Sequence, residues 1–111
     1  MTQRALRAIC ALNTDRVSSW QVWERLLMTT RAELDGWTVP AVVDWTNSVE
    51  DPVHLILSAC ALHKASRVYL PRIEHLPQGA LPRLRAKVSV FTVEPDHCYE
   101  ISTVQEGCLS E

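Results

Sequence analysis

Apolar residues in this chain fall into short runs that alternate with segments of helical spacing. The first run covers residues 4–13 (RALRAICALN), with polar residues at its edges. This pattern is typical of a strand that is buried on both faces of a sheet. We therefore expect the first strand to end at Asn13.

The segment after this strand predicts a helix. Apolar residues recur at helical spacing from Trp20 to Leu34, with charged residues between them. Ser18 and Ser19 are candidates for the N-cap, since a serine hydroxyl can accept from the free amides of the first turn. Gly36 follows the helix, where glycine takes the left-handed conformation without steric cost.

A second strand and a second helix follow. Residues 38–46 (TVPAVVDWT) are rich in β-branched side chains, and Pro40 suggests that this strand either lies near an edge of the sheet or begins later than Thr38. The next helix is predicted from Pro52 to Ala65, because proline suits the first helical turn. Its apolar residues lie nearly all round the helix, so we expect it to be buried against the sheet.

The remaining apolar runs predict two more strands. Residues 67–73 (RVYLPRI) form the third, in which Pro71 marks either the end of the strand or a bulge. Residues 74–86 (EHLPQGALPRLRA) predict a loop or a short helix, and residues 87–95 (KVSVFTVEP) predict a fourth strand. Alternating strands and helices therefore continue along most of the chain.

This alternation predicts an α/β fold in three layers. We expect a mostly parallel sheet of four to five strands, with right-handed crossovers and helices on both faces. The chain has 111 residues, the size of one domain. We assign residues 1–102 to that domain and residues 103–111 to a polar C-terminal tail.

Composition and charge narrow the classes of function. Hydrophobic residues make up 47% of the chain and charged residues 22%, which is typical of globular domains. The formal net charge of -2 gives no support to binding of a nucleic-acid backbone. No apolar run approaches the roughly 20 residues that cross a bilayer, and none has the form of a signal peptide, so we expect a cytoplasmic protein without membrane contact.

The four cysteines are scattered along the chain rather than paired: Cys10, Cys60, Cys98 and Cys108. Cys60 and His63 lie three residues apart on the second predicted helix, a spacing that a metal ion could bridge. Adding His97 and Cys98 would give four ligands, but the sequence does not indicate that the two pairs lie together. A buried cysteine and a helix-end histidine explain the pair more simply, so we expect no metal and no cofactor.

Four features, in this order, resemble the N-terminal catalytic domain of serine recombinases (resolvases). The first strand ends in a polar turn, and the first helix is closed by Gly36 and Trp37. The second strand has an acidic end at Asp44, and the third runs into residues 72–76 (RIEHL), which are similar to that family's L-D-R-L loop. The resemblance covers roughly residues 4–95 and implies a resolvase-like fold.

The residues that carry catalysis in this family are replaced here. The family's first strand ends in Arg-Val-Ser, whose serine attacks a DNA phosphodiester while arginines stabilise the developing charge. Ala11 and Asn13 stand at the arginine and serine positions. In the loop, Glu74 stands for the acid, His75 for the catalytic arginine and Gln78 for another arginine. The resemblance therefore implies a catalytically inactive, resolvase-like domain.

A second alignment stays open. Arg16, Val17 and Ser18 spell the family tripeptide outright, at a suitable distance ahead of Gly36. The residues before them, at positions 13–15, are polar where a buried strand is needed. Under this alignment the chain is an active recombinase that uses Ser18, although the loop arginine is still missing.

Polar residues near the predicted strand ends form a candidate ligand site. The carboxyl ends of parallel strands are the edge at which open α/β sheets bind ligands. The candidates at this edge are Asn13, Asp44, Glu74 and His75. A small-ligand or phosphate-binding domain is therefore the alternative function.

Tryptophans suggest an interaction surface. Trp20 and Trp23 lie on the first predicted helix, and Trp45 lies at the end of the second strand. Exposed tryptophan is a frequent anchor at protein interfaces. We expect the main function to be a protein-protein interaction or regulatory module, with a homodimer or another protein as its partner.

Overall fold

The computed structural model describes residues 6–16, 21–94 and 97–101, and these residues form a five-stranded sheet flanked by helices. The elements in chain order are β1 (Arg7–Asn13), α1 (Gln21–Leu34), β2 (Thr38–Trp45), α2 (Pro52–His63), β3 (Arg67–Leu70), a 3-10 turn (Ile73–His75), α3 (Ala80–Arg85), β4 (Ser89–Thr92) and β5 (His97–Tyr99).

The strands lie in the order β2-β1-β3-β4-β5. β1 to β4 are parallel, and β5 pairs with β4 in the antiparallel direction. β2 forms one edge of the sheet, the first of the two alternatives that Pro40 suggested, and it begins at Thr38. The predicted mostly parallel sheet of four to five strands is confirmed, while the position of β5 was not predicted because its three residues are too short to give a hydrophobic pattern.

Helices cover both faces of the sheet. Along β1, Ala8, Cys10 and Leu12 pack on the side of α1, with Met28 of that helix. The alternate residues of the strand pack on the side of α2 and α3. β1 is therefore buried on both faces, and the predicted three-layer α/β class is confirmed.

Local backbone chemistry explains the ends of both long helices. Gly36, two residues beyond α1, has a φ of 88°, the left-handed conformation that was predicted for it. The side chain of Asp51 caps α2 by accepting from the backbone N–H of His54 at 3.2 Å. Lys64 takes the left-handed conformation with a φ of 56°, so α2 stops before Ala65, which was predicted to lie within it.

α2 packs against the sheet as expected, although the apolar residues on its outer side stay exposed. Its buried residues lie along one stripe that faces the sheet: Pro52, Val53, Ile56 and Cys60. On the outer side Leu62 is 76% exposed. A helix that covers a sheet from outside buries one stripe only, so its apolar outer residues stay in contact with solvent.

The third strand is shorter than the sequence predicts. It ends at Leu70, and the chain turns through the 3-10 turn before α3. Pro71 follows the strand directly, in keeping with the strand end that was one of its two predicted roles, because proline has no N–H to donate to a neighbouring strand. Within the described residues no helix combines the length and apolar character that a bilayer crossing requires.

Candidate functional site

The strand order creates a crevice at the C-terminal edge of the sheet. The chain leaves β1 toward the face covered by α1, whereas it leaves β2 and β3 toward the opposite face. The loops after two neighbouring strands diverge where this direction changes, and the crevice between them is where open α/β sheets bind ligands. A cleft of about 100 Å³ lies at this edge, and residues from all three loops line it, among them Asn13, Arg16, Trp45, Asn47, His75 and Pro77.

Asn13 and His75 meet in this cleft. The backbone N–H of Asn13, at the end of β1, donates to Nδ1 of His75 at 2.9 Å. His75 lies on the 3-10 turn after β3 and is fully buried. The bond joins the ends of two neighbouring central strands and fixes the orientation of the imidazole ring.

The imidazole of His75 is neutral at pH 7. Its pKa falls to about 4, mainly because burial disfavours the charged ring, and the guanidinium groups of Arg72 and Arg16 lower it further. The carboxylate of Glu74 acts in the opposite direction with a smaller effect. Because Nδ1 accepts a hydrogen bond, the ring proton resides on Nε2. Nε2 is buried and has no hydrogen-bond partner among the described residues.

The side chain of Asn13 ties two loops together. Its Nδ2 donates to Oδ1 of Asn47 at 2.9 Å, and its Oδ1 accepts from the backbone N–H of Asp15, also at 2.9 Å. The carboxylate of Asp15 in turn accepts from the backbone N–H of Asn47 at 2.7 Å. The amide at the tip of β1 is thus held in a polar network and offers no nucleophilic oxygen.

Trp45 belongs to the wall of the cleft and to the core. It is only 3% exposed and packs in the cluster between the sheet and α2. Trp45 therefore lacks the exposed indole that its prediction as an interface residue assumed, because the last residue of β2 points to the covered face of the sheet. Its indole Nε1 is also buried and meets no hydrogen-bond partner within the described part of the chain.

Two other predicted ligand residues lie apart from the cleft. Asp44 forms an ion pair with Arg25 of α1, on the opposite side of the sheet from Trp45. Neighbouring residues of a strand point to opposite faces, which explains the separation. Glu74 is exposed and is not among the residues that line the cleft. Of the four candidates, the structure brings Asn13 and His75 together.

Arg16 and Asn47 are cleft residues that the sequence did not single out as a site. Arg16 was considered only as part of the Arg-Val-Ser tripeptide of the second alignment, and Asn47 was not predicted as a site residue. The available signal was their position: each follows a strand end by two or three residues, at the same edge of the sheet. A search of every polar residue that follows a strand would have included both.

The other selected residues lie as follows. Ala11 is fully buried in the core on the α2 side of the sheet, and Gln78 lies in an exposed turn before α3. Trp23 is 55% exposed on α1. Ser18 and Trp20 lie outside the described residues.

The two buried thiols, Cys10 and Cys60, are not in the reactive thiolate form. Burial raises the pKa of Cys10 to about 12 and that of Cys60 to about 11, so both remain protonated at neutral pH. Within the described ranges there is no cluster of three or more histidine, cysteine or acidic residues that could hold a metal ion.

No known protein-family model, no curated protein and no solved structure matches this chain.

Proposed function

We propose that this chain is a non-catalytic binding domain whose small ligand occupies the cleft at the C-terminal edge of the sheet. The observation that carries this proposal is the buried imidazole of His75. Its Nδ1 is paired with the backbone of β1, whereas its Nε2–H has no acceptor among the described residues. Leaving a buried donor unpaired costs about 1–3 kcal/mol, and a ligand acceptor would remove that cost.

The absence of catalysis is part of the proposal. If the resemblance to serine recombinases holds, Asn13 occupies the position of the nucleophile and His75 that of an arginine. An amide cannot attack phosphorus, and a neutral imidazole lacks the permanent charge and the two-pronged geometry of a guanidinium. Both residues instead contribute to a fixed hydrogen-bond network, which supports a binding role for this edge.

A thermal-shift screen tests the proposal. The panel would contain nucleotides, phosphates, small carboxylates, neutral amides and divalent cations. Binding stabilises the folded state by mass action, so a genuine ligand raises the melting temperature progressively with its concentration. We expect at least one compound to stabilise the protein by more than about 1 kcal/mol at concentrations well above its Kd.

A pair of variants locates the response. Val49 lines the cleft, so Val49→Trp should fill it and abolish the shift. Leu62→Trp adds the same ring on α2, where the side chain is exposed and about 15 Å along the helix from the cleft, and should preserve the shift. A panel without any stabilising compound, or a shift that survives in Val49→Trp, would rule out the proposed site.

Recombination through Ser18 is tested separately. Incubation with supercoiled DNA followed by denaturing electrophoresis would detect a covalent adduct between protein and DNA. We expect none. An adduct that disappears in Ser18→Ala would overturn the non-catalytic proposal and establish the second alignment.

An interaction module is the second candidate, and one observation favours it. α1 exposes a stripe of large apolar side chains: Val22, Trp23, Leu26 and Leu34. Positions 22, 26, 30 and 34 follow one another at four-residue steps and carry no charge, so two copies of the helix could pair around a twofold axis without like-charge repulsion. The occupant proposed for this stripe is a second copy of the chain.

Size-exclusion chromatography with light scattering tests this candidate. We expect a concentration-dependent dimer that Leu26→Glu abolishes, because a carboxylate in the centre of the apolar stripe would have to be desolvated. Leu62→Glu places the same charge on the exposed side of α2 and should leave the dimer intact. A monomer at all concentrations would exclude self-association through α1.

A further inference from the structure

Two buried N–H groups without a partner among the described residues belong to side chains that line the same cleft. One is Nε2–H of His75, on the turn after β3, and the other is Nε1–H of Trp45, at the end of β2. Both side chains are more than nine-tenths buried. Neither nitrogen can act as an acceptor in this state, because the indole is only a donor and the histidine proton is fixed on Nε2. The missing partner is therefore an acceptor.

The charges around His75 favour a negatively charged acceptor. Among the charged groups, Arg72 and Arg16 act most strongly on the pKa of the ring, and each outweighs the carboxylate of Glu74. Arg16 also lines the cleft itself. Glu50 lies on the wall as well, so a ligand with several negative charges would face repulsion. A single negative charge fits this balance better than a phosphate dianion.

The size of the cleft limits the ligand further. Its volume of about 100 Å³ is smaller than the roughly 150 Å³ apolar cavity that admits benzene. Pro52, Val49 and Pro77 give its wall an apolar part. The available space suits a few carbon atoms and excludes a nucleotide.

Building on the proposed function, we propose that the ligand is a small aliphatic carboxylate. Its oxygens accept from Nε2–H of His75 and Nε1–H of Trp45, and Arg16 supplies the opposite charge. The short hydrocarbon part lies against Pro52 and Pro77. Since both nitrogens are covered in the free protein, binding requires a local movement of the cleft wall.

Asparagine in place of His75 separates ligand binding from folding. The side-chain oxygen of His75→Asn can occupy the place of Nδ1 and accept from the backbone N–H of Asn13, while Nε2–H is removed. His54→Asn makes the same change at an exposed position on α2 and serves as the matched control. Arg16→Gln removes the charge at an exposed side chain, so it tests the carboxylate preference even if His75→Asn fails to fold.

The measurement is a titration followed by the indole N–H signals in proton-nitrogen NMR spectra, with the Trp45 signal identified by its loss in Trp45→Phe. The probes are propionate, its neutral amide propionamide and inorganic phosphate. We expect propionate to shift the Trp45 signal saturably. His75→Asn should weaken propionate binding at least about tenfold, the effect of losing one hydrogen bond to a charged group. Arg16→Gln should also weaken it, and His54→Asn should not.

The outcomes distinguish the two proposals. If propionamide or phosphate binds more tightly than propionate, and Val49→Trp abolishes that binding, the cleft is a ligand site but the carboxylate inference is overturned. If propionate binds equally well to His75→Asn and Arg16→Gln, the assigned contacts are wrong. If no compound of the panel binds, both proposals fail together.

Discussion

The polar network around Tyr69, beneath α1, and the cleft at the C-terminal edge of the sheet differ in how their buried polar groups are paired. Beneath α1, the hydroxyl of Tyr69 donates to Asp35 at 2.7 Å and accepts from Arg67 at 3.3 Å. The guanidinium of Arg67 also lies over the ring of Trp37, 4.6 Å from its centroid. Here the polar atoms find their partners inside the protein.

In the cleft, by comparison, some buried donors lack hydrogen-bond partners among the described residues. The backbone N–H of Asn13 is paired with His75, but the outer nitrogen of that ring and the indole nitrogen of Trp45 are not paired within the described residues. Folding alone gains nothing from such donors, since each costs about 1–3 kcal/mol. Rules of stability tend to be broken at functional sites, so the contrast directs attention to the cleft.

The largest expected effect comes from removing the ring that closes the cleft. His75→Ala should destabilise the protein by about 3–4 kcal/mol, because it leaves a cavity and deprives the backbone N–H of Asn13 of its acceptor. Urea denaturation would measure this loss. His54→Ala, at an exposed position, should change stability by less than about 0.5 kcal/mol. A loss below 1 kcal/mol for His75→Ala would show that the cleft is not a structural junction.

Acid should weaken the same junction. The pKa of His75 is about 4 in the folded protein and about 6.5 in the unfolded chain, so the unfolded chain binds more protons between these values. The contribution of neutral His75 to the free energy of unfolding is therefore fully present above about pH 6.5 and is lost as the pH falls toward 4. The loss should be about 3 kcal/mol, since one pKa unit corresponds to about 1.4 kcal/mol.

Denaturation curves at several pH values would test this difference. His75→Asn has no imidazole to protonate, so its stability should fall less between pH 6.5 and 4 than that of the original protein. Parallel curves for the two proteins would mean that His75 is not buried in its neutral form.

A smaller loss of stability is expected in the polar network around Tyr69. Tyr69→Phe removes the hydroxyl that pairs with Asp35 and should cost about 1–2 kcal/mol, because the partner groups lose their hydrogen bonds. Tyr99→Phe removes a hydroxyl that takes no part in this network and should cost much less. Thermal unfolding of both variants would measure the difference. Equal losses would contradict the role assigned to the Tyr69 network.

The smallest effect is expected at Asp44. Its ion pair with Arg25 is exposed, and such pairs contribute about 0–1 kcal/mol. Asp44→Asn should therefore change stability only slightly and should leave the ligand-induced thermal shift unchanged. Loss of the thermal shift in this variant would show that Asp44 contributes to ligand binding.

Much of the architecture followed from local patterns. The uninterrupted apolar run before Asn13 predicted a central strand, and Gly36 predicted the end of α1. Pro40 suggested an edge position for β2 as one of two alternatives. The exposed outer side of α2 escaped prediction, because apolar composition alone does not show which stripe of a helix meets the sheet. The position of β5 escaped because three residues carry no periodicity.

The candidate site was predictable only in part. Asn13 and His75 were selected from their positions at strand ends, and they do meet. Asp44 was selected by the same reasoning, yet its side chain projects toward α1, one residue out of phase with Trp45. The phase of each strand relative to the two faces depends on packing, so the separation could not be read from the order of residues.

By itself, the sequence determined the alternation of strands and helices and the burial of β1 on both faces, because backbone periodicity and the hydrophobic effect act over a few residues. Only the tertiary structure decided that His75 closes on Asn13, sixty-two positions earlier in the chain. It also decided that one cleft is lined by two side chains whose N–H groups have no partner among the described residues. Such contacts depend on the order and registration of strands, which are set by the packing of the whole domain.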